Sequence, residues 1–184
     1  MFIRQAFLTT LFLCSCSLKK PLKTYITHLN SKEIGDNIIQ KLQAQKIDTI
    51  IGLYEGCHGC APGADDPYYI IWKENSKTYA TKVTTYTTFN KHNLSYFPFG
   101  HFESNFEKIA NEKLIEANKW HHYSFDLVTL IIGTQKIIFE ICEDTKKINQ
   151  NALRVISIDK IRSNFFSIEP WEWKGNNYKA NSQK

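Results

Sequence analysis

The chain lacks an apolar run long enough to cross a bilayer. Its N-terminal apolar stretch, Ala6 to Leu13, is eight residues interrupted by Thr9 and Thr10, whereas a spanning helix needs about 20. It also lacks the short motifs that announce common chemistries. There is no GxSxG elbow, no HExxH, no GxxxxGK[ST] phosphate cradle and no GxGxxG turn, which leaves no catalytic residue and no cofactor to nominate. A second CxxC is missing, so Cys57 and Cys60 supply only half of a zinc site. Histidine is absent after Cys60, where Ala61 stands, and this removes haem attachment. An excess of one charge is lacking too. The 23 basic and 18 acidic residues leave +5, scattered without an RNA or DNA motif, so nucleic-acid binding is not expected. No internal repeat and no composition break divides the chain, and residues 29–174 are expected to form one domain.

What is present reads as α+β. Asn30 followed by Glu33 has the form of an N-cap with its reciprocal carboxylate. Ile34, Ile38, Ile39 and Leu42 then recur at helical spacing. Ile47 to Tyr54 is β-rich. Tyr68 to Lys73 and Thr78 to Tyr86 read as a hairpin with a four-residue connection, Glu74 to Lys77. Ser104 and Glu107 form a second capping box, with Phe106, Ile109, Ala110, Leu114 and Ala117 lining the helix that follows. Tyr123 to Ile132 and Gln135 to Cys142 are strands joined across Gly133-Thr134. Leu153 to Ile158 and Phe165 to Ile168 read as further strands, although the first equally suits a helix starting near Asn149. Residues 175–184 form a polar tail expected to fray. The expected architecture is an antiparallel sheet with two amphipathic helices packed on one face. Trp72, Trp120, Trp171 and Trp173 are assigned to packing rather than to a stacking surface.

The constellation with the most chemistry is Gly56-Cys57-His58-Gly59-Cys60. A redox role needs the first thiol at a helix N-terminus, yet Ala61-Pro-Gly-Ala-Asp-Asp-Pro67 is poor material for opening a helix. A metal site needs completion through the fold by His58, His92, His101, His121, His122, Asp65 or Asp66. A structural disulfide between Cys57 and Cys60 is the favoured reading, with Cys57/Cys60 metal or thiol chemistry as the alternative. Cys142 reads as a small buried hydrophobe. Asp65-Asp66 suits a solvated turn, and His121-His122 sits where a helix dipole favours imidazolium. His92 and His101 flank the aromatic loop Leu94 to Gly100. If that loop and the Cys57 to Asp66 loop share one end of the sheet, His58, Asp65, Asp66, His92, Tyr96, Phe97, Phe99 and His101 make a binding surface.

The N-terminus carries one early positive charge, Arg4, a short apolar stretch, and Leu13-Cys14-Ser15-Cys16. This pattern resembles the signal peptide of bacterial lipoproteins, with an aliphatic residue three positions before the modified cysteine and a small one just before it. The resemblance implies cleavage after residue 15 and lipidation of Cys16, palmitate included, with residues 16–28 as a tether; Cys14 fits less well because Leu13 precedes it directly. A cleaved secretory signal without lipid is the rival. Lys19, Lys20 and Lys23 would lie near headgroups, each worth on the order of 1 kcal/mol on an acidic leaflet, or simply keep the linker soluble. The resemblance implies a protein held on the membrane of the cell envelope, periplasm-facing by the lack of acidic residues after Cys16. An oxidising envelope also suits the disulfide. The expected role is a non-enzymatic binding domain of inhibitor, immunity or assembly-factor type with a protein partner; the alternative is a thiol-redox or metal-binding protein.

Overall fold

A computed structural model describes residues 30–60, 66–85, 87–118, 123–166 and 175–177. The elements are α1 (Ser31–Ala44), β1 (Thr49–His58), β2 (Tyr68–Glu74), β3 (Lys77–Val83), β4 (Thr87–Phe89), β5 (His92–Leu94), α2 (Phe99–Asn111), β6 (Tyr123–Ile132), β7 (Gln135–Cys142), α3 (Glu143–Ile148), α4 (Leu153–Phe166) and β8 (Gly175–Asn177). The strands run in the order β7-β6-β1-β2-β3-β4-β8, with β5 also on β3, and every pairing is antiparallel. The fold is therefore α+β, as the sequence indicates. The signal-like segment, the tether, Asp65, Trp120, His121, His122, Trp171 and Trp173 lie outside the described residues.

The expectation that the helices share one face needs correcting, because β1, β2 and β6 are buried on both. Consecutive apolar doublets, Ile50-Ile51, Ile70-Ile71 and Leu130-Ile131, point to opposite faces. One face carries Ile51, Leu53, Tyr69, Ile71, Val128 and Leu130. It packs on Phe102, Phe106 and Ile109 of α2 and on Val155, Ile158, Ile161 and Phe165 of α4. The other carries Ile50, Tyr68, Ile70, Trp72 and Ile131 against Ile39 and Leu42 of α1. Each fully buried aliphatic side chain contributes roughly 1.5–3 kcal/mol, so neither face of so apolar a sheet can be left to water.

The Asn30–Glu33 capping box forms: Asn30 Oδ1 accepts from the Glu33 N–H at 2.9 Å, and Glu33 Oε2 from the Asn30 N–H at 3.3 Å. The Ser104 box does not. The N-cap of helix α2 is Pro98, six residues earlier, and Ser104 Oγ donates back to the Gly100 carbonyl at 2.6 Å from inside the helix. The helix also stops at Asn111, leaving Leu114 and Ala117 outside it. Glu112 turns extended, and its two carboxylate oxygens accept the N–H groups of Leu153 and Arg154, each at 2.7 Å, which caps α4. Arg154 returns the favour to the C-terminal carbonyls of α2, donating to Ile109 at 2.8 Å and Ala110 at 2.9 Å.

Of the two readings of residues 153–158 the helix holds, starting at Leu153 rather than near Asn149, and α4 continues through Phe165, where a strand was expected. Val155, Ile158, Ile161 and Phe165 recur at helical spacing and are all 5 % exposed or less. The β2–β3 hairpin closes through two residues rather than four, because Asn75 (φ 50°) and Ser76 (φ 62°) both adopt the left-handed conformation of a tight primed turn. Gly133 (φ 61°) does the same for β6–β7, as expected. The tail was expected to fray from residue 175, yet Gly175–Asn177 adds β8 to the edge of β4, satisfying backbone groups there. Among the described residues no helix is long and apolar enough to cross a membrane.

Helix α1 can lie against the sheet only because Gly35 has no side chain; a Cβ there would collide with the Tyr68 ring. Gly35→Ala should therefore lower stability by about 1–3 kcal/mol in urea unfolding, even though alanine is the better helix former. Gly100→Ala, in α2 with open space around it, should raise stability by about 0.5 kcal/mol. Equal effects at the two positions would contradict this packing.

Candidate functional site

Strand β1 runs past the end of its pairing with β2 and stays paired with β6 up to Cys57↔Ser124 and His58↔Tyr123. At this end Gly59 (φ 77°) reverses the chain, a conformation that favours glycine. The turn brings Cys60 back onto Cys57 as a disulfide with Cα atoms 5.6 Å apart. The loop returns to the sheet at Pro67, whose carbonyl accepts the Glu55 N–H at 3.0 Å. Asp66 is fixed twice: its carbonyl accepts from Ser31 Oγ at the start of α1, and its Oδ2 accepts from Tyr54 Oη at 3.1 Å. Burial, and then the Asp66 charge, push the Tyr54 phenol up to about 12.

Beneath the disulfide lies a pocket of about 250 Å³. Cys57, Asp66 and Pro67 form one wall, and Ser124, Phe125 and Gly56 belong to the strands beside it. The remaining lining is ionic. Asp126, on β6, is 1 % exposed. Its Oδ1 accepts from Arg162 Nη2 of α4 at 2.7 Å and its Oδ2 from Lys146 Nζ of α3 at 2.9 Å. Arg162 Nε also donates to Glu55 Oε1 at 2.8 Å, and Lys146 Nζ meets Glu143 Oε2 at 2.6 Å. Burial opposes the Arg162 charge, but the Asp126 and Glu55 carboxylates outweigh it and raise its affinity for the proton. The hydrogen bond from Lys146 holds the Glu143 carboxyl below its ordinary value.

Four carboxylates, Glu55, Asp66, Asp126 and Glu143, thus face two cations that are already committed. Such a pocket favours a positively charged group and disfavours an anion. Among the described residues the lining includes one hydroxyl, Ser124, and no imidazole to activate it. Cys57 lies within a strand rather than at a helix N-terminus, so the electrostatic setting of a reactive thiolate is missing from it. Among the described residues no group of three His, Cys, Asp or Glu side chains is arranged to hold a metal ion.

On the other face of β1, His58 stacks on Phe125 with centroids 4.4 Å apart, leans on Tyr123 at 4.8 Å and lies 3.7 Å from Glu140 Oε2. Gly56 makes room for this row, since a Cβ would fall 2.5 Å from Phe125 Cζ and 2.6 Å from Tyr54 Cε1. His58 and Asp66 therefore do belong to one end of the molecule. The aromatic loop does not join them. Strand β5 runs from His92, opposite Ala80, to Leu94, opposite Thr78. The chain therefore leaves the sheet at the end where β2 turns into β3, opposite to the disulfide. Phe97 and Phe99, expected on a binding surface, are core residues 5 % and 7 % exposed. Tyr96 alone of that loop's rings is well exposed. His101, inside α2, places Nε2 3.2 Å from Ser157 Oγ of α4; burial, then Lys160, lowers its basicity. Cys142 is buried, as expected, with Sγ 3.2 Å from Thr145 Oγ1.

The sequence reading missed Glu55, Asp126, Glu143, Lys146 and Arg162 altogether. One signal was available. Asp126 interrupts the strand between Phe125 and Leu127, and a carboxylate placed in a strand buried on both faces must be paired there.

No protein-family model matches this chain, and no match was found among curated proteins or among solved structures.

Asp126→Ala should cost about 3–5 kcal/mol in urea unfolding, because it leaves two partly buried cations without their shared partner. Glu143 carries a smaller, pH-dependent share. Its folded value lies below the ordinary 4.5, so its stabilisation is present above that pH and is lost as pH falls through the lowered value. Glu143→Gln should flatten the stability profile on the acid side of 4.5. An unchanged profile would show that Lys146 gains nothing from Glu143.

Proposed function

We propose that this chain is a lipid-anchored protein of the bacterial envelope, held through Cys16, whose α+β domain binds a protein partner by taking a cationic side chain into the pocket beneath the Cys57–Cys60 bridge. The observation that carries the binding reading is the pocket itself. Its cations are neutralised internally, while Glu55, Glu143 and Asp66 each keep a carboxylate oxygen that accepts no hydrogen bond from a described residue. A lysine or arginine of a partner would find both charge and acceptors there. Ser31 and Tyr54 hold Asp66 in the wall, so this acceptor is positioned before the partner arrives, which lowers the entropic cost of association. The lipid anchor is supported by Leu13-Cys14-Ser15-Cys16 and by the basic, acid-free stretch after it. The bridge suits an oxidising compartment.

Two measurements test this. Cells fed labelled palmitate should label the wild-type chain and not Cys16→Ser, and the variant should leave the membrane fraction; equal labelling of both defeats the anchor. Partner capture from solubilised envelopes should then be lost in Ser124→Lys, which places a cation at the exposed rim of the pocket. The Cys57→Ser/Cys60→Ser pair should retain capture at reduced strength. If the double variant instead abolishes a thiol-dependent activity while capture never depends on Ser124, the thiol reading replaces this one.

A further inference from the structure

Among the described residues β7 is the last strand on its side of the sheet, and only β6 stands in its ladder. An eight-residue edge of this kind is a template for another strand, and proteins commonly blunt it with charges, prolines or bulges. Here β7 is regular throughout, paired residue for residue from Phe125↔Cys142 to Ile132↔Gln135. Its residues Lys136, Ile138 and Glu140 alternate onto one face and are all exposed, with Ile138 at 56 %. We propose that this edge pairs antiparallel with β7 of a second copy of the chain, across a twofold axis at Ile138.

The occupant follows from the order of those residues. Centring the antiparallel pair on Ile138 sets Lys136 of each copy opposite Glu140 of the other and sets Ile138 against Ile138. On the opposite face it places Ile137 against Phe139, continuing the core face that the Arg154 guanidinium covers at Phe139. Neighbouring registers fail. Centring on Lys136 or on Glu140 puts like charges face to face, while centring on Ile137 or on Phe139 sets Ile138 against Lys136 or Glu140 and leaves the charges unmatched. Directly opposed side chains are the unit of sheet stabilisation, with opposite charges favourable and like charges unfavourable. A self-complementary patch is what an isologous contact requires. The contact of Glu140 with His58 at 3.7 Å holds the carboxylate on the face where the second copy's Lys136 would arrive. This inference is independent of the pocket and of the lipid anchor.

The test uses the full chain. Sedimentation should show a reversible monomer–dimer equilibrium across the micromolar to submillimolar range. Lys136→Glu or Glu140→Lys alone should weaken it by about 10-fold or more, since each turns two attractive pairs into repulsive ones, and the combined charge swap should restore it. Ile138→Cys should give a dimer on non-reducing gels that Lys136→Cys does not, because only the residue on the axis meets itself. All of these positions are exposed, so the variants fold. A chain that stays monomeric throughout, a dimer indifferent to both charge reversals, or equal cross-linking at Ile138→Cys and Lys136→Cys overturns the proposal.

Discussion

A single carboxylate organises the end of this molecule where its chemistry lies. Asp126 sits on β6, inside a sheet covered on both faces, where an unpaired charge would cost several kcal/mol. Both of its oxygens are therefore engaged, one by α4 through Arg162 and one by α3 through Lys146. Each cation carries a second carboxylate, Glu55 or Glu143, closer to the pocket mouth. Replacing such a network with apolar residues often leaves a protein as stable or more so. What the network supplies here is position: two consecutive helices, both far along the chain from β1, are fixed against its end, and the gap they leave is the pocket.

The two faces of the sheet are held by different means. On the α1 side, the contact is steric, with Gly35 against the Tyr68 ring and the Tyr68 hydroxyl donating to Asp36 at 3.2 Å. On the other side, α2 and α4 exchange caps. Glu112 satisfies the first amides of α4, and Arg154 satisfies the last carbonyls of α2. Helix ends leave amides and carbonyls that need partners from elsewhere, and here each helix supplies those of the other. That exchange also explains where α2 stops. Glu112 cannot both continue the helix and reach α4, and the second use satisfies two amides at once.

Much of the local structure was legible in the sequence. The Asn30–Glu33 box, the apolar stripe of α1 and the Gly133 turn rest on short-range physics, and they appear where the pattern puts them. The α+β class followed from the alternation of such elements. The failures share a cause, which is that a tertiary partner outbid a local signal. Ser104 has the form of a cap, but Phe99 and Phe102 gain more by entering the core and draw the helix start back to Pro98. Val155, Ile158, Ile161 and Phe165 do show helical spacing, yet the β-branched residues around them read as strand until α4 is seen lying on the sheet. The doublets Ile50-Ile51 and Ile70-Ile71 already indicated strands covered on both faces, which a single helical layer does not provide. The pocket was least legible of all. Its charges come from β1, β6, α3 and α4, and only the placement of Asp126 in an apolar strand hinted at them.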